Sequence, residues 1–274
     1  MVFDRLIYEN SARDVIEFTI GGKYHCNLRQ DVKGLRSVRT TVYRSPIVNV
    51  DGDKETGFHV ETRDIDIKGT INARSNDEQD ALIQALVEAF SPFQTGTLRF
   101  EGAGKVREID VRPVDSLDPD DYKGKRNPEF SISLLAPDPN WRATAAEEAT
   151  VSAAGTSLYY DGSKACGLEI TITAGADDID MESLSVLNGD TVETVNFRTA
   201  GGVKLSAGAV LKLTTTPRNP SVLLNGVSAL ERVDLGDTLF PLLYHGNNTL
   251  SWSAYGDEAH FTVSVKYTPQ YIGL

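Results

Sequence analysis

The stretch Ser75–Phe90, SNDEQDALIQALVEAF, is the one long segment whose apolar residues recur at helical spacing. Ser75 and Glu78 stand three apart, the spacing of a capping box in which serine accepts from a first-turn amide and glutamate reaches back. The spacing predicts a helix over Asn76–Phe90. Leu82, Ala85, Leu86, Ala89 and Phe90 follow the i, i+3, i+4, i+7, i+8 rule, and Ile83 and Val87 widen that stripe. A face this wide is costly on an isolated surface helix, so the helix is expected to lie against a sheet with Ile83 and Val87 turned toward another subunit.

Outward from this helix the period falls to two. Upstream, Val15–Ile20, Val38–Tyr43 and Phe58–Ile71 are β-favouring, and Ile65, Ile67 and Ile71 alternate with polar residues except where Gly69 takes an inward place, which suggests a bulge. Downstream, Pro92 and Gly96 turn the chain into Thr97–Phe100, then Val106–Val111, then Phe130, Ile132 and Leu134 on one face of Glu129–Leu135, closed by PDPNW. Antiparallel strands with one amphipathic helix make an α+β domain.

A small, polar stretch, Ala143–Ser157, follows Trp141 and places a domain boundary near Ala145, giving domains 1–145 and 146–274. AAEEA within it can alternatively form one helical turn. Beyond it Leu168, Ile170 and Ile172 alternate, Asn188-Gly189 and Asn225-Gly226 signal hairpins, and Leu250–Ala254 and Phe261–Tyr267 repeat the strand pattern around Tyr255-Gly256-Asp257. Regular short strands without a long helix predict an all-β sandwich. Trp252, in an alternating strand, reads as core, and Trp141 as the anchor of the domain junction.

The chain has 274 residues, with 39 Asp+Glu against 27 Lys+Arg for a net charge of -12. Its 40% hydrophobic content and two cysteines exclude disorder and a disulfide scaffold, and Cys26 and Cys166 read as buried free thiols. No window approaches the 18 apolar residues of a membrane span, so neither secretion nor membrane insertion is expected. The acidity disfavours nonspecific attraction to nucleic acid.

Catalytic constellations are missing from the sequence. His25, His59, His245 and His260 lack zinc-ligand spacing, and neither cysteine sits in a CxxC. Asp51–Gly57, DGDKETG, fails the calcium-loop pattern because position twelve is Thr62, and it reads as a solvated turn, as do Asp118–Asp121 and Asp177–Asp180. Gly104-Lys105 leads into a strand with no phosphate loop before it, and no GxSxG occurs. No metal, no cofactor and no enzyme activity is expected. The strongest local charge is a basic band, Arg29, Lys33, Arg36, Arg39 and Arg44, with Asp31 its single acid; Arg36 and Arg39 are candidate partners for carboxylates across a subunit interface. Tyr244 and Tyr255, near turns of the second domain, are candidate glycan contacts.

Several segments together resemble the distal tail protein of long, flexible-tailed bacteriophages. They are Ile47–Asp53 (IVNVDGD), Thr62–Ile71 (TRDIDIKGTI), Ala85–Gly102 (ALVEAFSPFQTGTLRFEG) and Phe130–Trp141 (FSISLLAPDPNW) in the first half. In the second they are Leu187–Asp190, Leu223–Gly226 and Asp237–Ala254, where Asp237, Phe240, Leu243, Gly246, Asn247 and Leu250 carry the match. The resemblance implies a virion tail component assembled in the host cytoplasm as a homohexameric ring, set between the tail tube protein and the tail hub or tail-tip protein. It further implies a galectin-like C-terminal sandwich turned toward a receptor-binding protein, and DNA that passes through the lumen without specific binding. A carbohydrate-binding module is the competing reading.

Overall fold

The computed structural model describes residues 5–20, 25–28, 32–49, 51–115, 117, 127–175, 179–197, 203–217, 219–236, 238–255 and 261–274. The chain divides into two units, Met1–Thr144 with Ile272–Leu274, and Ala145–Tyr271. The return of the last three residues to the first unit was not apparent in the sequence pattern.

The first unit contains β1 (Arg5–Asn10), β2 (Val15–Ile20), β3 (His25–Leu28), β4 (Thr40–Pro46), β5 (Asp53–Val60), β6 (Arg63–Asn72), α1 (Asn76–Ala89), β7 (Gly96–Gly102), β8 (Lys105–Pro113), β9 (Glu129–Ala136) and β10 (Trp141–Ala143). The order β8-β7-β1-β2-β3-β6-β9 closes through β8–β9 pairing into a barrel, with β10 added alongside β8. Its pairs are antiparallel apart from parallel β2–β3. Closure removes the open sheet edges that would otherwise invite pairing with another chain. The inward set of the alternation is as expected: Ile65, Ile67 and Ile71 from β6 face Phe130, Ile132 and Leu134 from β9, all buried.

Helix α1 seals this barrel. Ser75 caps it by accepting from the Glu78 amide at 3.2 Å, while the Glu78 carboxylate accepts from the Arg74 amide, one residue before the cap, at 2.7 Å. Leu86, Ala89 and Phe90 enter the core, where Phe90 stacks on Tyr8 with ring centroids 4.2 Å apart and Phe18 links Phe90 to Phe130. Leu82 and Ala85 are half-buried. Ile83 is only 7% exposed, which corrects the expectation that it faces a neighbouring copy: a barrel wraps more of a helix than a flat sheet covers, and Ile83 is already packed within its own subunit. Val87 is half-buried.

Gly69 marks no bulge. Its register with Phe130 continues unbroken from Lys68↔Ser131 to Thr70↔Glu129. A side chain is excluded there because the Phe130 ring and the Asn27 carbonyl occupy the space of a Cβ.

At one corner of this unit a single arginine replaces a ladder. Arg63, 1% exposed, donates from Nε to the Pro139 carbonyl at 2.7 Å, from Nη1 to Gly34 at 2.6 Å and Ser37 at 3.2 Å, and from Nη2 to Ile272. Trp141, fully buried, donates its indole N–H to the Leu35 carbonyl at 3.0 Å, so its anchoring is internal to the first unit.

The second unit begins with β11 (Glu147–Val151), so AAEEA leads into a strand paired with the end of the domain instead of a helical turn. There follow β12 (Thr156–Tyr160), β13 (Cys166–Gly167), β14 (Glu169–Ala174), β15 (Ile179–Asn188), β16 (Thr191–Asn196), β17 (Val203–Leu205), β18 (Val210–Thr214), β19 (Ser221–Leu224), β20 (Val227–Ser228), β21 (Leu242–Leu243), β22 (Gly246–Tyr255) and β23 (Phe261–Tyr267). They form a six-stranded antiparallel sheet, β11-β23-β14-β18-β19-β20, a five-stranded one, β12-β22-β15-β16 with β17 on β15, and the short pair β13–β21. One buried cluster draws on both larger sheets, with Ile170, Leu211 and Val263 from the first and Leu184, Val186 and Leu250 from the second. Trp252 joins it and donates to the Val151 carbonyl at 3.0 Å.

Asn225 and Gly226 both take positive φ, 49° and 82°, as the tight hairpin between β19 and β20 requires. In the other hairpin Asn188 is still paired, with Thr191, so the turn is Gly189-Asp190, one place later than expected. Beyond Val227–Ser228 the chain takes a short helical turn at Leu230–Arg232. Both cysteines are free and buried; apolar surroundings push the Cys26 thiol up to about 12 and Cys166 up to about 11, so neither is a reactive thiolate.

Leu86→Ala should cost about 2–4 kcal/mol of first-unit stability in urea unfolding, the range for removing packed leucine methyls. Arg63→Met should cost about 3–5 kcal/mol in the same experiment, because it strands buried carbonyls without donors.

Candidate docking surface

Strands β4 and β5 form a two-stranded sheet apart from the barrel, and nearly every residue along both is exposed. The expected solvated turn Asp51–Gly57 is in part this hairpin: Asp53 already pairs with Pro46, and the turn lies at the tip before it. Val42 stands directly opposite Phe58 and Thr40 opposite Val60, so these side chains share one face. Phe58 is 66% exposed, and at the tip Val48 is 84% exposed beside Ile47. A register shift between Tyr43 and Arg44 twists the ribbon. An isolated hairpin of this kind is at best marginally stable in water, and one with an uncovered apolar face gains stability by laying that face on another surface.

The root of the hairpin is fixed. The Glu61 amide donates to the Arg39 carbonyl at 2.9 Å, and the Thr41 hydroxyl to the Glu61 carboxylate at 2.5 Å. Arg36 and Arg39 stand near that root, Arg44 farther out along β4 opposite Glu55, and Lys33 makes a β-bridge with Asp66 of β6; all four are exposed. Among the described residues Arg36, Arg39 and Arg44 form no side-chain hydrogen bond or ion pair. Arg5, Arg99 and Arg142 of the same unit are tied down instead. Arg5 binds Glu101 at 2.6 Å and Glu17 at 3.5 Å, Arg99 binds Glu101 at 3.1 Å, and Arg142 bridges Glu108 at 2.8 Å and Asp110 at 2.5 Å. The Arg142 hydrogen bonds hold the Asp110 carboxyl below its usual range even though part of its desolvation opposes this. Arg29 and Asp31 of the basic band lie outside the described residues, as do Asp118–Asp121, Asp177, Asp178, Asp237 and His260. Asp180 does not sit in a loop but pairs with Tyr255.

The structure brings Arg36 and Arg39 to the hairpin root and sets Ile83 inside the barrel. It separates the two tyrosines. Tyr244 donates its hydroxyl to Glu193 at 2.7 Å, which raises its pKa to about 12, whereas Tyr255 is 66% exposed at the far end of β22. Among the described residues no group of His, Cys, Asp or Glu could hold a metal ion, and no helix is long and apolar enough to cross a membrane. The sequence reading missed the hairpin, although the absence of a consistent buried period over residues 40–60 was a signal for a ribbon exposed on both sides.

Residues 25–136 match the family model of the phage tail protein RIFT-related domain. No curated protein sequence matches the chain. Among solved structures, the Dit protein (gp 19.1) of phage SPP1, described as a paradigm of the hub adsorption apparatus in phages infecting Gram-positive bacteria, is similar over 97% of this chain and 98% of its own. The TM-score is 0.67 at 13% sequence identity. Chains of the phage P2 baseplate in its activated conformation, with Ca and with Sr, align at 10% identity with TM-scores of 0.44 and 0.43, over 100% and 98% of this chain and 100% and 99% of theirs; nothing rests on those two. Residues 25–136 of the barrel unit thus match the model of the phage tail protein RIFT-related domain, and the chain shares the fold of the SPP1 Dit protein along nearly its whole length.

Proposed function

We propose that this chain is a structural adaptor of a phage tail tip, joining the tail tube to the hub or receptor-binding apparatus as a homohexameric ring. The observation that carries this reading is the fold held in common with a phage hub protein across both units. The family match on the barrel unit supports it independently. In this reading DNA passes through the lumen, the second unit is a galectin-like sandwich that holds receptor-binding parts, and the particle is the virion tail, assembled in the host cytoplasm. No bond is made or broken; the work is docking.

The ring contact follows from what the barrel unit leaves unsatisfied. A head-to-tail ring needs two different patches that fit each other. One patch is the hairpin, with the Val42–Phe58 face and the Ile47–Val48 tip for burial and with Arg36, Arg39 and Arg44 for charge. A second copy of a chain with net charge -12 offers carboxylates to those arginines. Val87, half-buried on α1, joins the contact, while Ile83 is withdrawn from it. A carbohydrate-binding role for the second unit rests on no observation of comparable weight.

The full chain should sediment at several times 29.9 kDa, and negative-stain images should show a hollow ring. Val42→Asp with Phe58→Asp, or Arg36→Glu with Arg39→Glu, should leave the circular dichroism unchanged and reduce association by at least tenfold. Salt should weaken association as the screening length falls from about 10 Å at 0.1 M to about 3 Å at 1 M. A wild-type chain that remains monomeric at high concentration and beside its tail partners would overturn the reading.

A further inference from the structure

Between β3 and β4 the chain crosses Gly34–Ser37 without regular secondary structure, yet each of these residues is fastened from outside the loop. The Gly34 and Ser37 carbonyls accept from Arg63, and the Leu35 carbonyl accepts from Trp141. The backbone of Arg36 lies against Gly273 so closely that its carbonyl would meet any Cβ placed there. Ile272 and Gly273 are fastened in turn, since their carbonyls accept from Arg63 and Arg107. One guanidinium, that of Arg63, therefore ties the last residues of the chain to the loop that presents Arg36. The Arg36 side chain itself is exposed and, among the described residues, unpaired.

We propose that Ile272–Leu274 is a latch on loop Gly34–Ser37, holding the backbone of Arg36 in a preset pose from which its guanidinium meets a carboxylate of a neighbouring copy. The docking half of this rests on the ring reading above; the latch itself does not. The physical reason is pre-organisation. Fixing the backbone of one residue is worth about tenfold in an association constant, and an irregular loop cannot obtain that rigidity from a ladder. It has to come from side chains and from a neighbouring segment, and this loop has both. Gly273 is suited to the place because only a residue without a side chain lets two backbones approach so closely.

The test uses the full chain in five forms: wild type, a chain lacking 272–274, Gly273→Val, Arg36→Ala, and Gly273→Val combined with Arg36→Ala. Amide exchange at residues 34–37 is measured alongside β1 and β7, and association is followed by sedimentation. The two latch variants should exchange at least tenfold faster at 34–37 with β1 and β7 still protected, and should associate about tenfold more weakly. Arg36→Ala should weaken association with exchange unchanged, and the combination should lose little beyond either single change, because both act through one contact. Unchanged exchange at 34–37 in both latch variants overturns the latch, and so does loss of protection throughout the unit, which would make the segment a general support. Fully additive losses overturn the link to Arg36. A monomeric wild type overturns the ring reading and the docking half, while the exchange result still decides the latch.

Discussion

A guanidinium with no carboxylate beside it sits at the closure of the first unit, and much else depends on how its charge is met. Arg63 gives up water and receives four main-chain carbonyls from three separated parts of the chain. Burial pushes its pKa down to about 10, which still leaves it cationic at neutral pH. The planar fork of an arginine can address carbonyls in several directions at once; a lysine, with one nitrogen and three donors, cannot reproduce that arrangement. Without such a group the buried Pro139 carbonyl and the part-buried carbonyls of Gly34, Ser37 and Ile272 would have no ladder to receive them.

The interior of the barrel imposes the complementary condition. Phe18, Phe90 and Phe130 form a connected aromatic set with Tyr8 stacked on Phe90, and this set fills the space around α1. A helix held against such a core has little apolar surface left to offer. The physical case for assembly therefore moves from the helix to the hairpin, where Val42 and Phe58 share one exposed face. The helix argument was sound about burial and mistaken about who supplies it.

This difference shows what the amino-acid pattern can convey. Strands β6 and β9 and the helix were legible because one buried face forces a period, and a period is visible in one dimension. The Asn225-Gly226 turn was legible because few residues accept positive φ. The β4–β5 ribbon was legible only as β-favouring stretches at Val38–Tyr43 and from Phe58 onward, and its standing apart was not, because a strand exposed on both faces has no period to betray it. Arg63 looked like any arginine opening a strand, since its partners are backbone carbonyls that every residue carries. Gly69 looked like a bulge because a glycine that makes room for a phenylalanine ring and one that bends a strand are the same letter in the sequence.

Within the first unit some arginines are held by carboxylates and others stand open to solvent, and the difference bears on which surface is built to be covered. Arg5 and Arg142 are held by carboxylates across adjacent strands and Arg99 by Glu101 of its own strand, so that face is already electrically satisfied and gains little from a partner. Among the described residues Arg36, Arg39 and Arg44 have no such partner, in a chain where acids outnumber bases 39 to 27. Local scarcity of carboxylates does not explain this, because Glu55 lies directly across the ribbon from Arg44 and Glu61 is bonded beside Arg39. Guanidinium groups that are unpaired among the described residues, two of them on a fixed root and all beside an exposed apolar ribbon, form a surface with both the charge and the burial of an interface core and rim.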